Sequence, residues 1–382
     1  MEITDALKMY LSRFQLIIDL QKNLLDLDED NYDEMITIIE KMPLFDDYHT
    51  FCHFLESIDS AIYARPKKFK IYLKLIIRYE QKIKKEFDPF ALHRIIGSHI
   101  VNYHLYKHGF YTDEIFREIS QKHDSEIQIL LEMIESSSDP EKTSKLLLEG
   151  RNPEDYLVAI QNDDVDSLIS IISQRNLNVN DTIEYFEYEI SYFFKKQATL
   201  IEYSAFYGSV NCFKYLLNQC DLNYSPLLAE FAIAGGNHEI IHLVENHSKF
   251  NTNILEISIQ FHHYLITDYL LNTHNINNDL ISSLAVSIRF YNLDYFVHNI
   301  TKATDINKQI IRFWQHENLL SVAVDSGQLD IVEFLLSIKN IDVFQPGFPV
   351  FFSFQKTPLE IAKEANENEI VKLLEEKIRS QE

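Results

Sequence analysis

The stretch Leu319-Leu320-Ser321-Val322-Ala323-Val324-Asp325-Ser326-Gly327, continued by Gln328-Leu329-Asp330-Ile331-Val332-Glu333-Phe334-Leu335-Leu336, decides the fold. Its first half carries a small residue, Ala323, and ends on a glycine. Glycine after a helix supplies the left-handed cap conformation that is strained for most residues with a Cβ. In the second half, Ile331/Val332 and Leu335/Leu336 form one apolar stripe at helical spacing. The stretch therefore predicts two short helices closed by a turn at Gly327. One such pair has nowhere to bury its stripe, so it requires neighbours of the same kind.

Those neighbours are in the sequence. Lys356-Thr357-Pro358-Leu359-Glu360-Ile361-Ala362 leads to Ile370-Val371-Lys372-Leu373-Leu374, with Thr357 as N-cap and Pro358 at the first helical position. With Ala323, Gly327 and Ile331 as a ruler, the spacing recurs at Ser204, Gly208, Cys212 and at Ala232, Gly236, Ile240. Weaker copies are Ala159, Asp163, Ser167; Ser258, His262, Ile266; and Ser287, Tyr291, Tyr295. Asp163 and Asn366 tolerate the left-handed conformation, His262 does so less well, and Tyr291 is a poor fit. The copy at Ser287–Tyr295 is the weakest of the seven.

The two C-terminal units resemble ankyrin repeats: a TPLHxA-like helix start, a glycine between helices, then an IVxxLL-like second helix. The resemblance implies an all-α ankyrin-repeat solenoid over residues 151–382, with about seven repeats and a polar cap in Glu367–Glu382. It also implies a non-catalytic module without a cofactor, which presents a concave face and a finger edge to a protein partner. Spacing between copies is about 26 to 45 residues, against about 33 in regular arrays. Short spacings imply trimmed turns and long ones imply inserts in the connecting fingers.

Three inserts are rich in aromatic residues. The first holds Tyr185, Phe186, Tyr188, Tyr192, Phe193 and Phe194; the second, Phe313 and Trp314, the only tryptophan; the third runs from Val343 to Phe354. Pro346-Gly347 is a turn signal, and its flanks are suited to a hairpin. Clustered aromatic side chains either form a binding surface, where such rings dominate the energy, or pack on one another and extend the core. As a binding surface, the rings to test are Tyr188, Phe194, Trp314, Phe348 and Phe352. The chain resembles protist ankyrin proteins with a long helical N-terminal region and aromatic finger inserts.

Residues 1–150 show no clean repeat. Met9–Leu25, Tyr32–Met42, His53–Tyr63, Phe69–Lys85 and Glu126–Ile134 read as amphipathic helices. His53–Ile77 has the look of a decayed helix pair turning at Arg65-Pro66. Ser136–Asp155, with Ser-Ser-Ser-Asp-Pro, reads as the boundary to the repeats. A basic run from Arg65 through Lys67 to Lys85 lies in a chain of net charge -23. Three roles fit it: a dock for an anionic partner, an internal dock for the acidic repeats, or a solvated helix face.

Composition narrows the function classes. Eight glycines and nine prolines in 382 residues argue for helices with short connections rather than phosphate-cradling loops. The acidic balance disfavours nucleic acid as a partner. No segment approaches the ~20 apolar residues of a membrane span. Cys52, Cys212 and Cys220 form no CxxC pair, which suggests reduced thiols in the cytoplasm. His238-Glu239-Ile240-Ile241-His242 satisfies HExxH, where two histidines on one helical face bind zinc beside a glutamate base. A zinc-dependent hydrolase needs a third ligand, for which His262, His263 and Asp268 are the nearby candidates. Yet Ile240 and Ile241 fall on the ruler places of Ile331 and Val332, so the stack accounts for the motif without metal.

Overall fold

Asp88-Pro89 and Asp139-Pro140 open helices that apolar spacing does not announce. Each aspartate accepts hydrogen bonds from backbone amides of the first turn, and each proline takes the first helical position. In the computed structural model, which describes residues 2–122, 124–184, 189–225, 227–274, 276, 279–312, 315–347 and 355–381, ten helices precede the repeats. They are α1 (Ile3–Asp26), α2 (Tyr32–Ile39), α3 (Tyr48–Ala64), α4 (Phe69–Arg78) and α5 (Glu80–Glu86), then α6 (Pro89–Ile95), α7 (His99–Lys107), α8 (Asp113–Lys122), α9 (Ser125–Ser136) and α10 (Pro140–Glu149). The Ser-Ser-Ser-Asp-Pro segment leads into the capped start of α10.

Seven helix pairs follow. They are α11 (Asp155–Gln161) with α12 (Val165–Arg175), α13 (Leu200–Tyr207) with α14 (Val210–Leu217), and α15 (Leu228–Gly235) with α16 (His238–Glu245). Next come α17 (Thr252–Gln260) with α18 (Tyr264–Thr273), and α19 (Leu280–Arg289) with α20 (Leu293–Asn299). The last are α21 (Leu319–Asp325) with α22 (Leu329–Ser337), and α23 (Pro358–Glu364) with α24 (Asn368–Arg379). Strands β1 (Ile310–Arg312) and β2 (Gln315–Glu317) pair antiparallel as Ile310↔Glu317 and Ile311↔His316 between the fifth and sixth pairs.

Every ruler position between paired helices is left-handed. Gly208, Gly236 and Gly327 have φ of 66, 72 and 66°, and Asp163, His262, Tyr291 and Asn366 have 54, 52, 53 and 58°. In six pairs the next amide donates back to the small ruler residue. Asp164 bonds the Ala159 carbonyl at 2.9 Å, Ser209 that of Ser204 at 3.0 Å, and His263 that of Ser258 at 2.9 Å. Asn292 bonds Ser287 at 2.7 Å, Gln328 bonds Ala323 at 3.0 Å, and Glu367 bonds Ala362 at 3.0 Å. In the Ala232 pair, Gly236 itself donates to Ala232 at 3.1 Å. This bond satisfies a carbonyl that the helix end leaves open. The Ser287–Tyr295 copy, weakest in sequence, closes like the rest.

Successive pairs are joined by side chains that the ruler does not include. Ser209 donates to the Ile160 carbonyl, Asn292 to that of Ile259 at 2.8 Å, and Gln328 to that of Ile288. In each case the residue after the left-handed position reaches the first helix of the preceding pair. First helices pack on first helices (α13 on α15, α19 on α21, α21 on α23) and second on second, as α22 on α24. Gly235 permits one such approach, since a Cβ there would lie 2.3 Å from the Ala205 carbonyl oxygen. The described residues form an all-α fold of repeated helix pairs, with a short two-stranded finger at β1 and β2.

The chain forms two compact units: a C-terminal unit of Met1–Leu20 with Asn251–Glu382, and a central unit of Gln21–Phe250. In the C-terminal unit the first turns of α1 lie on second helices of the fifth and sixth pairs. Phe14 is fully buried, 6.3 Å from the Phe296 ring and 5.8 Å from that of Phe334. Arg13 pairs with the buried Asp330 and, at 2.8 Å, with Glu333. In the central unit the Tyr72 hydroxyl donates to the Leu24 carbonyl at 2.9 Å.

Removing the Phe14 ring leaves a cavity between three elements, with a stability loss of about 3–5 kcal/mol. Denaturant unfolding of Phe14→Ala checks this; a loss under about 1 kcal/mol would place α1 outside that core.

Candidate interaction surface

The first insert folds inward. Thr182 bridges to Thr199, and Ser191 caps the 3-10 turn Tyr192–Lys196 that precedes α13. Phe194 is buried, with its ring 4.8 Å from Tyr203, 4.7 Å from Phe206 and 5.8 Å from Phe231. Phe193 lies 4.9 Å from Phe231, and Lys196 sits 4.2 Å over the Phe193 ring. These rings extend the core across the first helices α13 and α15, so Phe194 presents no face to a partner. Tyr188, Trp314, Phe348 and Phe352 lie outside the described residues.

A carboxylate anchors this insert. Glu189 is 3% exposed and accepts from the Tyr203 hydroxyl at 2.8 Å, the Asn152 amide at 3.1 Å and the Tyr207 hydroxyl at 3.4 Å. Gln161 donates to the Tyr203 oxygen at 2.7 Å. Burial pushes the Glu189 carboxyl up to about 7, against the downward pull of the three donors and of Arg151.

The later fingers present more apolar surface. Asn307 ties them together: its amide donates to the Asn340 carbonyl at 2.7 Å, and its side-chain oxygen accepts from the Asp342 amide at 2.9 Å. On β1, Ile311 is 70% exposed; on the next finger, Phe344 is 54% exposed. Gly347 and Lys356 exchange backbone hydrogen bonds at 2.8 and 2.9 Å. Gly347 is therefore bridged to Lys356 along the chain. A Cβ at Gly347 would lie 2.3 Å from the Ser321 hydroxyl oxygen, which fixes glycine there. A cavity of about 520 Å³ opens beside the fingers, lined by Thr252, Asp279, Ile281, Lys302, Asp305 and Lys308 among others.

The basic run is largely matched within the chain. Lys70 pairs with Glu149 at 2.6 Å, Lys74 with Glu29 at 3.7 Å, Arg78 with Glu40 at 3.0 Å, and Lys84 with Glu80 at 2.5 Å. Lys68 and Lys82 donate to the Leu27 and Phe45 carbonyls at 2.9 and 2.6 Å. All four of these carboxylates precede the repeats, so the contacts are not those of a dock for the acidic repeats. Lys67 differs. Its ammonium lies 5.2 Å from the Tyr207 ring centre and 5.9 Å from that of Phe206, with no hydrogen bond among the described residues. Burial of the ammonium, then the charge of Arg65, bring it down to about 7.

The HExxH segment occupies the first turn and a half of α16. Ile240 and Ile241 are buried in the stack, Glu239 pairs with Lys214 at 2.5 Å, and His242 with Glu245 at 3.1 Å. His262 places its Nε2 2.9 Å from the Phe290 carbonyl oxygen. Among the described residues no group of three or more His, Cys, Asp or Glu side chains is arranged to hold a metal ion. No described helix is long and apolar enough to cross a membrane.

With this geometry in hand, known proteins add little that is specific. A domain of unknown function, DUF3447, matches residues 223–299, which span α15 to α20. The human ASB11 ankyrin repeat domain is similar to this chain at 15% identity and a TM-score of 0.37, covering 58% of this chain and 98% of its own. No curated protein matches.

The raised Glu189 carboxyl gives a signed prediction. Its folded value exceeds the unfolded 4.5, so its contribution is present below about 4.5 and lost as pH rises through about 7. A shift of that size corresponds to roughly 3 kcal/mol for a buried group. Unfolding free energies from pH 4.5 to 8 should show Glu189→Gln losing this slope relative to the parent chain. Parallel curves would mean that Glu189 does not titrate in the fold.

Proposed function

We propose that the chain is a non-catalytic protein-interaction module whose partner binds the finger edge of the C-terminal unit. The observation that carries this reading is the exposure of Ile311 and Phe344 on adjacent fingers that Asn307 holds in register. Large apolar side chains placed together on an edge mark contact surfaces. Trp314, Phe348 and Phe352, from the same two fingers, are the rings we assign to this surface; Tyr188 belongs to the first finger. The cavity beside them has room for a side chain of the partner.

A non-catalytic role is supported by what the polar groups do. Glu189, Glu239 and His262 are engaged in contacts between elements, and His242 pairs with Glu245 within its own helix. We assign the protein to the cytoplasm, where three free thiols, one of them the buried Cys212, remain reduced.

The test is paired. Ile311→Ser with Phe344→Ser should leave unfolding within about 0.5 kcal/mol of the parent, because both sites are exposed. The same variant should lose at least about tenfold in partner capture, followed by quantitative mass spectrometry of bound proteins. Equal capture by parent and variant would remove this edge from the reading.

A further inference from the structure

We propose that the face of α20 and α22 beneath α1 is a docking groove for amphipathic helices, that α1 is its resident occupant, and that a partner helix of the same pattern takes its place. One stripe of α1 fills the groove: Ala6, Phe14, Ile17 and Ile18 are buried, and Tyr10 is partly so. The Tyr10 ring meets that of Phe334 edge-on at 5.9 Å, and the Phe14 ring meets both Phe296 and Phe334. Side chains three and four apart on one face are how a helix occupies a groove. The flanks of the stripe stay in solvent, since Met9 and Leu11 are exposed. The Arg13–Asp330 pair joins residues 317 positions apart. No local turn sets this contact, so α1 meets the groove much as a separate ligand would.

The groove also selects what its occupant carries. Asp330 is buried at the start of α22, and Glu333 stands one turn further on. A carboxylate buried beside aromatic rings is costly unless a cation arrives with the occupant. In α1 that cation is Arg13, which pairs with both acids directly before the Phe14 anchor. A purely apolar helix would cover the rings and strand the acids, which rejects it. The partner that fits is an amphipathic helix with an aromatic residue, an arginine three positions on, and a second aromatic at the fourth. Because α1 is tethered, it competes as an intramolecular ligand and holds the groove until it is weakened or outcompeted.

The probe is a fluorescent peptide with the sequence of residues 3–20, titrated against the full chain and followed by anisotropy. Arg13→Glu replaces the attraction to Asp330 and Glu333 with repulsion and loosens α1. This variant should bind the peptide at least about tenfold more tightly than the parent, whose groove is filled. Excess peptide should also raise the thermal midpoint of the variant and leave that of the parent unchanged. A peptide carrying Arg13→Glu with Phe14→Ser should do neither. If the Arg13→Glu chain fails to fold, Arg13→Ala removes the cation without adding an anion and should show the same order of binding. Equal binding by parent and variant, or no binding by a folded Arg13 variant, overturns the proposal. Sedimentation of the parent as a dimer that the free peptide dissociates would make a second copy the occupant, and overturns it too.

Discussion

A left-handed residue between two short helices, closed by one backbone hydrogen bond, sets the geometry on which the rest of the stack depends. Helices of seven to twelve residues are marginal alone. The closure turns the chain back, so that both apolar stripes face the neighbouring pairs. Where that residue is not glycine, the conformation costs about 1–2 kcal/mol. At Tyr291 this is outweighed by what the turn places in the core. Leu293 and Phe296 are 1% and 0% exposed, and full burial of each side chain is worth about 1.5–3 kcal/mol. Tertiary burial decides the turn, and residue preference only modulates it.

This explains what the sequence made legible and what it did not. The positions Asp163, His262, Tyr291 and Asn366 were readable because the spacing of small residue, turn and apolar residue is local. The cross-pair bonds of Ser209, Asn292 and Gln328 were not, because their acceptors lie 49, 33 and 40 residues away. Gly235 was hidden by its neighbour: the ruler marks Gly236, yet close approach to Ala205 falls on the residue before it. In the N-terminal half, α6 and α10 open on aspartate caps, α7 on Ser98 and α8 on Thr112, so their starts carry no ruler signal. The spacing of α1 shows an amphipathic helix but not its seat against Phe296 and Phe334.

The aromatic inserts show how one composition serves two purposes. Phe193 and Phe194 lie in the 3-10 turn capped by Ser191, close to Glu189, and they pack as core. Ile311 stands on a two-stranded hairpin whose neighbouring Ile310 is buried, and it remains exposed. Ring content alone does not separate these outcomes; the distance from an anchor to the first helices does. The basic run is similar, since most of its cations meet an acid or a carbonyl and Lys67 meets two rings. Candidate sites are therefore best sought where a group departs from the pattern of its neighbours.

The central claim is that all seven pairs turn through a left-handed residue and that six of them, including the pair with tyrosine at the turn, close by the same backbone bond. Site-resolved amide hydrogen exchange tests it most directly, at the residues that follow the left-handed positions. The account predicts that the Asn292 amide, which bonds Ser287 at 2.7 Å, is as protected as that of Gln328, within about tenfold. An Asn292 amide exchanging at the rate of an open loop, beside a protected Gln328, would contradict it.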